Sequence, residues 1–249
     1  MSQGPVPATI LLIHGAWAGG WVWDALIPEL TALGRRAEAL ELPGNGHHPI
    51  GVNEATVPDY LACLREALQT APGPVALLGH SGGGMLVSAA MAHFPDRISQ
   101  SIWLAGMLLD DGMTFDRVQE RIAGPGQRIG VTPRIVAAAD GRSNAVPVEA
   151  AMAHFFQDLP EDTARAAALR LTPQPIAGYR IPVTRGPGFA ALPKLYIQAL
   201  QDRSVLPEAQ RIMCDGVPGL DIAQLDAGHA PQVSQPGALA RIIDDWLPS

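Results

Sequence analysis

The sequence predicts an α/β fold: a mostly parallel sheet of about six strands flanked by helices, with one inserted cap. Three observations carry this. Short apolar runs alternate with single helical stretches through residue 107, the rhythm of βαβ units. From 108 to 193 that rhythm stops, and Gly124-Pro125-Gly126, Pro133, Pro147, Pro160, Pro173, Pro175, Pro182 and Pro187 crowd the segment. The rhythm then resumes. The expected organisation is therefore a core of 1–107 and 194–249, with 108–193 as a cap over the site.

The elements follow in order. Thr9 to His14 is an apolar run that reads as a buried strand. Trp21 to Leu33 reads as one amphipathic helix stopped by Gly34. Arg36 to Leu42 alternates as a strand, and residues 43–49 are a loop by composition. A helix from about Pro58 to Thr70 places Tyr60, Leu61, Leu64 and Leu68 on one face, with Thr56 or Val57 at its cap. Val75 to Leu78 is a buried strand, followed by an apolar helix over Gly83 to His93 and a strand over Ile98 to Met107. Within the cap, Val148 to Gln157 and Glu161 to Leu171 are the convincing helices. Lys194 to Leu200 and Leu220 to Leu225 read as strands around a helix at Pro207 to Cys214. In the last helix Leu239, Ile242, Ile243 and Trp246 recur at helical spacing.

Composition narrows the function classes. The 249 residues are 47% hydrophobic, enough for a sizeable core, and the net charge of −7 argues against nucleic acid or an anionic membrane as the main partner. Two cysteines, Cys63 and Cys214, have no metal-ligand spacing and read as buried thiols. The Ile10 to Ile13 run is too short to span a bilayer. A cytoplasmic protein without cofactor or metal is expected, and a homodimer is left open.

Gly79-His80-Ser81-Gly82-Gly83 fits G-x-S-x-G between a strand and a helix. A serine on so sharp a turn is strained, and the glycines on each side let strand and helix pass closely. Ser81 is the candidate nucleophile. Its hydroxyl needs a base, and the base needs an orienting acid. In the chain order of an elbow serine, the loops after the late strands supply Asp202 as acid and His229 as base. Asp110 and Asp111, after the preceding strand, compete for the acid role, and Asp226 sits too near His229 in sequence. His80 reads as structural. The backbone N–H groups of Gly82 and Ala16 are the expected oxyanion donors.

These pieces together resemble the α/β-hydrolase superfamily, nearest to the branch of plant methylesterases, hydroxynitrile lyases and bacterial pyrethroid-hydrolase-like esterases. His14 to Trp23 looks like that branch's oxyanion loop, Gly79 to Gly84 its elbow, Leu195 to Asp202 its acid loop and Gly228-His229 its base loop. In the cap, His154 to Gln157 and Leu169 to Pro175 are similar. The resemblance implies an α/β-hydrolase fold. Lyases of the branch carry threonine or asparagine where this chain has Gly15, and the (S)-selective ones lysine where it has Ala230; esterase chemistry is therefore expected. The expectation is a serine carboxylesterase acting on a hydrophobic small-molecule ester, with Gly15, Trp17, His154 and Phe155 lining the pocket. Lactone or C–C bond hydrolysis, cyanohydrin cleavage and a slow-turnover ligand receptor are the alternatives.

Overall fold

Five residues, Thr9–Ile13, form β1, and every one of them is buried. The reason is the sheet they sit in. In the computed structural model, which describes residues 9–248, β1 is an interior strand between β2 (Ala37–Leu40) and β3 (Val75–His80), parallel to both. Between them lie α1 (Leu26–Ala32) and, before β3, α2 (Val57–Thr70). Then follow α3 (Gly83–His93), β4 (Ile98–Leu104), α4 (Phe115–Ala123), β5 (Val136–Ala137), β6 (Ser143–Ala145), α5 (Val148–His154), α6 (Glu161–Ala168), β7 (Gln174–Pro175) and α7 (Pro187–Ala191). The chain closes with β8 (Lys194–Ala199), α8 (Pro207–Cys214), β9 (Leu220–Leu225), α9 (Pro231–Ser234) and α10 (Pro236–Trp246). The main sheet has the order β2-β1-β3-β4-β8-β9, and each neighbouring pair in it is parallel.

A sheet buried on both faces hides its period-2 pattern, because both sets of side chains are apolar. The structure separates them. Leu11, Ile13, Val75, Leu77, Trp103 and Tyr196 join one core cluster with Tyr60, Leu64 and Leu68 of α2 and Met213 of α8. Ile10, Leu12, Ala76, Leu78, Ile102 and Ile197 join the other, with Leu26 and Leu30 of α1 and Leu239 and Ile243 of α10. Thr56 and Asp59 form a capping box at the start of α2.

Two expectations need correction. Trp21 to Leu33 is not one helix: a short 3-10 turn over Gly20–Trp23 precedes α1. Pro28 explains the break, since proline is tolerated in a first turn but not in a helix interior. Residues 108–193 hold more regular structure than expected. They add α4, whose Thr114 hydroxyl accepts from the Arg117 N–H, and a three-stranded sheet in the order β5-β6-β7. The lone lysine, Lys194, is buried, and its Nζ donates to the Phe189 and Leu192 carbonyls, both at 2.8 Å, tying the end of α7 to β8. Among the described residues, no helix is long and apolar enough to cross a membrane.

Candidate active site

The strand order reverses direction between β1 and β3, and open α/β sheets form their ligand crevice beyond the carboxyl ends of strands at such a point. The β1 loop and the elbow meet here. Ser81 has φ +52, in the left-handed region, a conformation that costs on the order of 1–3 kcal/mol and persists only when its surroundings enforce it. They do. Ser81 N–H donates to the Leu104 carbonyl at 3.1 Å, and its own carbonyl accepts from Met107 N–H at 2.8 Å and Gly84 N–H at 3.0 Å. A Cβ on Gly79 would lie 2.6 Å from Val87, and one on Gly83 would lie 2.6 Å from the Ile13 carbonyl oxygen, so both must be glycine. Gly82 is different. A Cβ there would meet nothing nearer than the Ala16 nitrogen at 3.6 Å.

Asp202 and His229 come together. His229 Nδ1 and Asp202 Oδ2 are 2.8 Å apart, and both side chains are buried. The second carboxylate oxygen, Oδ1, accepts from the Ser204 and Val205 N–H groups at 2.7 and 2.9 Å. Gln210 locks the same loop: its Nε2 donates to Asp202 Oδ2 and the Val205 carbonyl, while its Oε1 accepts from Ala199 N–H. The rival acids are engaged elsewhere. Asp110 pairs with the Arg185 guanidinium, Asp111 accepts from the Arg185 N–H, and Asp226 accepts from Gln201.

His80 holds the base loop. Its Nε2 donates to the His229 carbonyl at 2.7 Å, and the two rings lie 4.7 Å apart. Burial, reinforced by the neighbouring His229 and His14, holds the His80 pKa well below the ordinary value, so the ring is neutral. Burial also lowers His14. Its Nε2 accepts from Leu42 N–H at 3.1 Å, which leaves Nδ1 as the protonated nitrogen, 2.8 Å from the Gly15 carbonyl. In a trans peptide the N–H points opposite the C=O. Holding the Gly15 carbonyl therefore turns the Ala16 N–H away from His14. Neither Ala16 N–H nor Gly82 N–H has a protein acceptor among the described residues.

Two chambers flank Ser81. One, of about 670 Å³, is walled by Ala16, Trp17, Gly82, Met85, Met107, Leu109, Tyr179, Ile181 and Val205. The other has about 20 Å³ of free space, room for little more than a water, and is lined by Gly15, Trp17, Phe155, His229 and Ala230 among others. Trp17 is common to both and stacks on Phe155 with ring centroids 5.8 Å apart. His154 lines neither chamber. It faces away, with Nδ1 donating to the Arg203 carbonyl at 2.9 Å, so it buttresses the Asp202 loop instead of touching the cavity. It was expected in the pocket from its place in the cap stretch His154 to Gln157, but consecutive helical residues point about 100° apart, so it does not share the direction of Phe155. Burial pushes the Cys63 thiol up to about 11 and the Cys214 thiol up to about 12, so neither is a nucleophile near neutrality.

Sequence reasoning missed Gln210, Asn144, Gln174 and the role of His14. Gln174 lies inside the Leu169 to Pro175 stretch whose likeness to the branch had no role attached; Gln210 and Asn144 carried no signal, being single amides in otherwise ordinary segments.

Known proteins share this architecture. Esterase PIR7B of Oryza sativa subsp. japonica is 29% identical over 94% of this chain and 93% of its own. A pyrethroid hydrolase of Sphingobium wenxiniae is 31% identical over 95% and 86%. The crystal structure of a pyrethroid hydrolase from Sphingobium faniae JZ-2 superposes with a TM-score of 0.84 at 30% identity, covering 96% of each chain. Residues 10–242 match the alpha/beta hydrolase family model, and the chain belongs to the alpha/beta hydrolase family.

Proposed function

We propose that the protein is a serine carboxylesterase that hydrolyses a hydrophobic small-molecule ester. The observation that carries the reading is the convergence, at one sheet edge, of a strained, cavity-lining Ser81 with a buried His229–Asp202 pair. The relatives that bear the name esterase or pyrethroid hydrolase support the ester as substrate class. His229 takes the Ser81 proton as the hydroxyl oxygen attacks the ester carbonyl. Asp202 steadies the imidazolium that forms. The Ala16 and Gly82 N–H groups hold the oxyanion of the tetrahedral intermediate, where loss of one such donor typically costs on the order of 100- to 1000-fold. As the intermediate collapses, His229 protonates the leaving alkoxide, then activates water to release the acid from Ser81.

The chambers orient the substrate. The leaving oxygen must lie near His229, on the side with little space, and the acyl group then extends past Gly82 into the large chamber. A bulky apolar acid esterified to a small alcohol fits best. The test is a panel of esters varied in acyl and alcohol length, with wild type and Ser81→Ala, alongside labelling by a fluorophosphonate. The expected result is at least a 10⁴-fold loss of kcat/KM in the variant, no labelling of it, and a wild-type preference for small alcohols. Wild-type turnover by Ser81→Ala sinks the mechanism.

A further inference from the structure

Trp17 is the second residue on the strained side of the backbone map at this site, with φ +63, and it directly follows Ala16. A tryptophan in that region has no intrinsic reason to stay. What holds it comes from the inserted segment. Trp17 N–H donates to Gln174 Oε1 at 2.9 Å, its indole Nε1 donates to Asn144 Oδ1 at 2.8 Å, and its carbonyl accepts from Thr172 N–H at 2.8 Å. Asn144 and Gln174 are directly opposite partners in the β6·β7 ladder, so their side chains leave the same face of the small sheet. Both are buried. Each is itself braced: Asn144 Oδ1 accepts from the Tyr179 hydroxyl at 3.2 Å, and Gln174 Nε2 reaches the Pro175 carbonyl at 3.3 Å. Gly178 gives Gln174 its space, because a Cβ there would lie 2.3 Å from Nε2.

The consequence concerns Ala16. His14 fixes the peptide that carries the Ala16 N–H, through the Gly15 carbonyl. Gln174 fixes the next peptide, through the Trp17 N–H. Between two fixed planes the torsions at Ala16 have little freedom. We propose that the Asn144–Gln174 pair is a positioning device that keeps the Ala16 N–H aimed at the oxyanion, so that the inserted segment completes the oxyanion hole as well as walling the cavity. This rests on the esterase reading above and assigns positioning residues to it. A small sheet of three very short strands is otherwise hard to account for: its two inward amides both end on one strained residue.

The test is Gln174→Met, which keeps the length of the side chain and removes the acceptor. With p-nitrophenyl acetate, kcat is expected to fall roughly 10- to 100-fold while KM stays within about threefold, the signature of an interaction made in the transition state. The same variant should lose affinity in parallel for a trifluoromethyl ketone, which forms an oxyanion on Ser81, and keep its affinity for the matching methyl ketone, which does not. A merely structural role moves both ketones together. Asn144→Leu, which removes the indole acceptor, should show the same pattern at about a third of the effect or less; if one variant does not fold, the other decides. Wild-type kcat with unchanged discrimination between the ketones overturns the proposal. The two readings fail separately: activity surviving in Ser81→Ala removes the esterase mechanism, whereas a dead Ser81→Ala beside a wild-type-like Gln174→Met removes only the positioning.

Discussion

Ala16, Ser81, Asp202 and His229 all stand on loops that leave the carboxyl edge of the main sheet, whereas the inserted segment brings polar groups that end on the backbones of several of those loops. Gln174 and Thr172 reach Trp17, His154 and Gln157 reach the carbonyls of Arg203 and Gln201, and Asp158 accepts from Gly228 N–H at 2.7 Å. One region thus presents the side chains proposed to react, and the other restrains the chain that carries them. A few loops can hold atoms to a fraction of an ångström only with such restraint: effective catalysis needs groups whose rotamers and backbones are locked by a second layer of contacts. The sheet supplies part of that layer itself, through His14, His80 and Gln210.

The largest loss should come from the sheet-edge side. Asp202→Asn leaves an amide where Oδ2 now faces His229 Nδ1. An NH₂ group there favours the wrong tautomer, and the Ser204 and Val205 N–H groups compete for the one remaining oxygen. We expect kcat to fall on the order of 10³- to 10⁴-fold with KM little changed, measured by steady-state hydrolysis of a p-nitrophenyl ester. A loss under tenfold would move the acid role elsewhere, and Asp110 and Asp111 are already committed to Arg185.

The same contrast explains what could be read from the chain. β9, α3 and α8 were legible to the residue, because an apolar run or helical face there is bounded by glycine or proline. Ser81, Asp202 and His229 were legible because strand ends are visible as apolar runs and the elbow has a fixed spacing. The inserted segment was not. Strands of two or three residues, such as Gln174–Pro175, are too short to show any period. Residues Phe115–Ala123 carry five polar or charged side chains in nine positions, and Gln119 is the buried polar one: its Oε1 accepts from Ile129 N–H, a pairing that no local pattern announces. Asn144 and Gln174 matter through a contact with Trp17 that spans more than a hundred residues. His154 shows the opposite error, a residue singled out by its neighbours and turned the other way by the helix.

A smaller effect should come from the boundary between the two regions. Gly82 is the glycine of the elbow that packing does not demand, and its missing side chain opens onto the large chamber. Gly82→Leu keeps the N–H and fills that space. Esters of bulky acids should lose on the order of 10- to 100-fold in kcat/KM relative to acetate esters, while Gly82→Ala changes the ratio only a fewfold. An unchanged acyl-length profile in the leucine variant would place the acyl group elsewhere, and would reverse the assignment of the two chambers.

The smallest effect concerns the layer beneath the loops, and its sign follows from linkage. His80 and His14 are held neutral by burial, so their folded pKa values lie below the unfolded value of about 6.5. As pH falls below about 6.5 the unfolded chain gains protons that the folded chain refuses, and stability declines by about 1.4 kcal/mol per pH unit for each such group until its folded pKa is reached. Above that pH the contribution is fully present. Between pH 7.5 and 5.5, where carboxylates scarcely titrate, Tm should fall by several degrees, at roughly 2–4 °C per kcal/mol for a chain of this size. His80→Gln retains a donor for the His229 carbonyl but has nothing to titrate. Its Tm is expected to start lower at pH 7.5 and to decline less steeply, by the share of one histidine, in a calorimetric series across that range. Equal slopes in the two proteins would mean that His80 takes up its proton alike in the folded and the unfolded chain, so that at pH 5.5 the loop carrying His229 would be held by a charged ring with its centroid 4.7 Å from that of another imidazole, an arrangement that burial opposes.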